Sequence, residues 1–100
     1  MDDELGTLKH QEVLYDDNFN EIGKIIIFDR GISLKYKDYS IKVPFNFIAG
    51  ITKNHDVGLG KVNINLSIYD RLSNRYDLNM NVSDIVYYTL KRRWEDFKDE

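Results

Sequence analysis

Lys61-Val62-Asn63-Ile64-Asn65-Leu66-Ser67-Ile68-Tyr69 and Arg75-Tyr76-Asp77-Leu78-Asn79-Met80-Asn81-Val82 are two runs in which apolar and polar residues change places at nearly every step. Side chains of a strand point alternately to opposite faces, so each run describes a strand with one buried and one wet face. Asp70-Arg71-Leu72-Ser73-Asn74 between them is turn chemistry, and together they read as an antiparallel hairpin.

The same reading extends towards the N-terminus. Residues 11–16 read as a first strand and Asp16-Asp17-Asn18-Phe19-Asn20 as a turn. The β-branched run Ile22 to Phe28 reads as a second strand. Asp29-Arg30-Gly31 then reads as a three-residue loop with Gly31 in the left-handed region. Residues 32–36 and 39–43 alternate on either side of Lys37-Asp38. Pro44 deflects the chain, Phe45 to Ile48 bend, Ala49 to Lys53 form a short fifth strand, and His55 to Gly60 form a loop. Residues 1–10, charged and without apolar period, read as a flexible acidic tail ahead of a domain spanning 11–98.

After Ser83 the period changes. Ser83-Asp84 supplies a helix N-cap and a first-turn acid, and Val86, Leu90, Trp94 and Phe97 fall on one helical face. The expected fold is therefore mainly β. Seven antiparallel strands form a partly open barrel or two orthogonal sheets, with one C-terminal helix over about 84–98.

One hundred residues suit a single small domain, and 42% hydrophobic with 13% aromatic content is globular. With no cysteine, disulfide scaffolds, thiolate metal sites and cysteine nucleophiles are excluded, which suits a reducing, cytoplasmic setting. The net charge of −3 is uneven: −6 over residues 1–21 and +4 over residues 22–53. Nucleic-acid binders carry a broader basic excess, so a local basic face points to an acidic protein surface or lipid headgroups.

No constellation for catalysis, cofactor or metal assembles. Asp16-x-Asn18-x-Asn20 opens like a calcium loop, but Glu21 stands where the turn needs glycine and Ile27 where a bidentate acid belongs. His55-Asp56 lacks a nucleophile elbow, and Gly58-Leu59-Gly60-Lys61 is too short for a phosphate loop and leads into a strand. Tyr87, Tyr88 and Trp94 beside Lys91-Arg92-Arg93 fit helix packing and dipole complementation better than nucleic acid.

Gly23-Lys24-Ile25-Ile26-Ile27-Phe28-Asp29-Arg30-Gly31-Ile32-Ser33-Leu34 resembles a stretch of GRAM and bacterial pleckstrin-homology-like domains, with Phe28-Asp29 in place of their Thr-Asn. Ile41-Lys42-Val43-Pro44-Phe45-Asn46-Phe47-Ile48-Ala49-Gly50-Ile51 resembles their "Ile-Pro-Leu-x-x-Ile-x-x-Ile" segment. An archaeal taxis adaptor family looks similar at its start, and the Ile-, Lys-, Asn- and Tyr-rich composition fits such a source. The resemblance covers roughly Val13 to Phe97 and implies a non-catalytic binding module. Some such domains hold phosphoinositides on a basic first loop. Here residues 16–21 contain no cation, so the resemblance favours a protein partner.

Pairing Phe28 with Ile32 across the 29–31 loop sends Ile26, Phe28, Ile32, Leu34 and Tyr36 inward. Ile25 and Ile27 then point outward beside Ser33, Lys35, Ser40 and Lys42. These six residues form the expected docking face, for a protein partner with an acidic rim. On this reading Ile27→Asp leaves folding intact and weakens partner binding. Self-association through that face stays open. The alternative is a membrane-surface domain placing Lys24, Lys35, Lys42 and Lys53 on anionic lipid.

Overall fold

The alternating runs pair as their period requires. In a computed structural model, which describes residues 5–16 and 18–98, the two runs form an uninterrupted antiparallel ladder from Tyr69↔Arg75 to Lys61↔Ser83. Val62, Ile64, Leu66 and Ile68 turn inward against Leu78, Met80 and Val82, all buried. The elements are β1 (Leu8–Tyr15), β2 (Glu21–Phe28), β3 (Gly31–Tyr36), β4 (Tyr39–Pro44), a 3-10 turn (Phe45–Phe47), β5 (Ile48–Gly58), β6 (Lys61–Tyr69), β7 (Arg75–Ser83) and α1 (Asp84–Lys98). The seven strands form one antiparallel sheet in the order β4-β3-β2-β1-β7-β6-β5. The sheet does not close, so β4 and β5 are its edges. This is the mainly-β fold with a C-terminal helix that the patterning implies.

The sheet folds over at the β1–β7 seam, where Tyr15↔Asn81 is the only paired position among the described residues. Beyond the seam the halves meet through side chains: the Tyr36 hydroxyl donates to the Asn79 carbonyl at 2.9 Å. The Tyr39 and Tyr76 rings lie 4.5 Å apart. Between the halves is one apolar core fed by every strand and by α1.

The Ser83 hydroxyl accepts the Val86 N–H at 3.2 Å, which caps the helix start. Val86, Tyr87 and Leu90 are buried, and Trp94 and Phe97 pack on the core. The Trp94 indole N–H donates to the Ile48 carbonyl at 3.2 Å, and Phe97 meets Phe45 edge-on at 5.9 Å. Together these contacts lay the helix over the β4–β5 connection.

Three expectations change. Residues 5–10 belong to the fold rather than to a tail; residues 1–4 lie outside the described residues. Leu5 is buried, β1 begins at Leu8, and the N–H groups of Asp29 and Arg30 donate to the carbonyls of Thr7 and Leu5. The scarcity of apolar residues there concealed a segment held by backbone bonds. The fifth strand runs to Gly58, because three register shifts along β5 break its period without ending it. Finally, the β2–β3 loop has two residues, Asp29-Arg30, and Gly31 is already in β3. Glycine is needed at position 31 for close packing rather than for a left-handed turn: a Cβ there would strike the Val43 carbonyl oxygen.

Candidate docking face on the β1–β4 half

The two-residue loop moves the β2–β3 register by one. Ile27 sits opposite Ile32 and Ile25 opposite Leu34. A shift of one residue exchanges the faces of a strand. Ile25 and Ile27 are therefore fully buried core residues, and neither belongs to a docking surface. Ile26, expected inside, lies half-buried on the outer face.

The β3–β4 register is the expected one, with Lys35↔Ser40 and Ser33↔Lys42. Ser33, Lys35, Ser40 and Lys42 thus do lie outward. Read across the strands, one row is Val13, Lys24, Lys35, Ser40 and the next is Gln11, Ile26, Ser33, Lys42. The outer face is a small apolar strip, Val13 and Ile26, crossed by lysines. Leu8 is exposed at the far end of β2 opposite Phe28, which is buried, with the Lys42 ammonium 5.7 Å from the Phe28 ring centroid.

Lys24 stands directly opposite Lys35. Among the described residues neither has a hydrogen-bond or ion-pair partner. Like charges facing each other across a ladder destabilise it. The sequence carried a signal for this, a local basic excess, but the missing register hid the opposition.

The other singled-out residues are brought to different places. The Asp16 carboxylate accepts the backbone N–H groups of Asn18 and Asn20, both at 2.9 Å, and so closes its own turn. These bonds, the one from Asn20 foremost, hold its pKa below the usual value of 3.8 against some desolvation. Asp70 repeats the arrangement on Leu72 and Asn74 at 2.8 and 2.9 Å. His55 and Asp56 lie exposed on β5, where Asp56 pairs with Lys53 at 3.0 Å. Lys53 is therefore neither on the lysine face nor unpaired. Gly58-Leu59-Gly60 is the β5–β6 hairpin tip, all three residues in the left-handed region. No three His, Cys, Asp or Glu residues converge for a metal among the described residues. None of the described helices is long and apolar enough to cross a membrane.

A feature outside the sequence reading is an asparagine network on the outer face of β5–β7. The Asn63 amide donates to Asn79 and Asn81 at 3.0 and 2.9 Å and accepts from Asn54 at 2.9 Å. Asn79 also donates to Asn65 at 2.8 Å, and Asn81 donates to the Asp16 carbonyl at 2.9 Å. The polar half of the alternating runs signalled these positions but not their mutual bonding.

Neither a scan against protein-family models nor a search of curated proteins returns a match for this chain.

Proposed function

We propose that the chain is a non-catalytic, pleckstrin-homology-like adaptor module of the cytoplasm. It docks an acidic-rimmed protein surface on the outer face of β1–β4, in the manner of a signalling or taxis adaptor. One observation carries the reading: Lys24 and Lys35 oppose each other beside the half-buried Ile26, with no carboxylate from the described residues between them. An arrangement that weakens the ladder is relieved by an acid brought from outside, and Ile26 with Val13 supplies the apolar centre of the contact. The partner contacts are thus Ile26, Val13, Lys24 and Lys42 together with Ser33, Lys35 and Ser40.

The test uses Lys35→Glu and Ile26→Asp. Pull-down from native lysate by the parent chain yields a partner that both variants lose, while both keep a cooperative melt. Retention of the partner by both variants overturns the docking face. Capture by phosphatidylserine vesicles, lost in high salt, would favour the lipid alternative instead. That alternative already lacks Lys53, which lies on β5 and is paired to Asp56.

A further inference from the structure

The β5 edge carries three features that complement one another about a two-fold axis, and from them we infer that this edge pairs with the same edge of a second copy. First, among the described residues β5 is the longest strand, 11 residues, and its outer side has no neighbouring strand. Second, Lys53 and Asp56 lie three apart, which in a regular strand would send them to opposite faces. The register shift between Lys53 and His55 brings them to one face, where they pair at 3.0 Å. An antiparallel pairing centred between Asn54 and His55 sets Lys53 against Asp56 of the second copy, and Asp56 against its Lys53. The four charges then alternate in sign around the axis.

Third, the same pairing brings the β5–β6 tip of one copy, just past the end of β5 at Gly58, alongside Gly50 of the second copy. Leu59, at the β5–β6 tip, is 90% exposed and held with φ of 55°, an unusual posture for a leucine. Beside Gly50 there is open space: a Cβ built there meets no atom within 4 Å. Next to it lies a cleft of about 420 Å³ lined by Asn46, Ile48, Ala49, Trp94, Phe97 and Lys98. The exposed leucine of each copy thus faces the apolar cleft of the other, twice, as an isologous interface requires. Bulges and charge are the usual guards of an open edge. Here the charge of Lys53 and Asp56 is self-complementary in this register.

The test is sedimentation equilibrium on the whole chain, with circular dichroism to confirm folding. The parent sediments at twice the chain mass of 11.8 kDa. Lys53→Glu alone and Asp56→Lys alone each weaken association at least ten-fold, and an equimolar mixture of the two regains the dimer. Mixing restores only the contacts between chains, so a purely internal role for the ion pair predicts no recovery. Leu59→Ser, at an exposed tip, also weakens association ten-fold. A parent that stays a single chain up to about 1 mM overturns the inference, as does a mixture that fails to associate. An unaltered Leu59→Ser dimer overturns the tip-to-cleft contact.

Discussion

Ile26 and Ile27 are adjacent in sequence and differ only in the face they occupy, so truncating each in turn isolates the register of β2. Ile27 is fully buried and sits opposite Ile32 in the core. Ile27→Ala removes three carbons, worth about 2.4 kcal/mol at ~0.8 kcal/mol each. An unfilled cavity of ~40 Å³ adds about 1 kcal/mol at ~24 cal/mol per Å³. The total, about 3.4 kcal/mol, lowers the melting temperature of a 100-residue chain by roughly 14–27 °C. Ile26 is half-buried on the outer face, and Ile26→Ala should cost about 1 kcal/mol or less. Urea unfolding followed by the fluorescence of the single tryptophan, Trp94, measures both. If Ile26→Ala proves as costly as Ile27→Ala, the parity is wrong and the docking face with it.

Lys35→Glu places a carboxylate opposite Lys24 and should stabilise the fold by about 0.2–1 kcal/mol while abolishing partner binding; a destabilised variant in thermal melts would contradict the like-charge argument. Trp94→Ala should cost about 3 kcal/mol, through lost packing and the lost bond to the Ile48 carbonyl, and an unchanged melting curve would show that α1 does not depend on it. Asn81→Leu strips the Asp16 carbonyl and the Asn63 amide of a partner, and a loss of about 1–3 kcal/mol in denaturant titration is expected. The Asp16 pKa is depressed below 3.8, chiefly by the Asn20 backbone N–H, so its contribution is complete above that pH and fades as pH falls through the lower folded value. Melting temperatures taken down an acid series should therefore fall less steeply for Asp16→Ala than for the parent, and equal slopes would refute the turn's role.

How far a segment could be read followed from how local its constraint was. β6 and β7 carry nine-residue alternation joined by a short turn, and their ladder is the one the pattern demands. The β3–β4 register followed from its two-residue loop in the same way. For the β2–β3 loop, the glycine signal misled. Gly31 answers to the approach of the Val43 carbonyl, a long-range packing need that no local rule records, and the one-residue error turned Ile25 and Ile27 the wrong way. Ser33, Lys35, Ser40 and Lys42 keep their outward parity because their register rests on the other loop. Bulges erase the periodicity by which the far half of β5 could be read, and Leu5, a lone apolar residue among charges, has no period at all.

A sheet joined at its middle by one paired position has consequences for how the molecule breathes. Among the described residues the β1–β7 ladder reduces to Tyr15↔Asn81, supplemented by side-chain bonds: Asn81 to the Asp16 carbonyl, the Ser83 N–H to the Glu12 carboxylate, and Tyr36 to the Asn79 carbonyl. The β5–β7 meander and the β1–β4 meander are each bound internally by long ladders. Amide exchange should then partition into two cooperative blocks that meet at this suture. The slowest protons are expected in β6, flanked by strands on both sides, and the earliest subglobal opening where the two blocks part company.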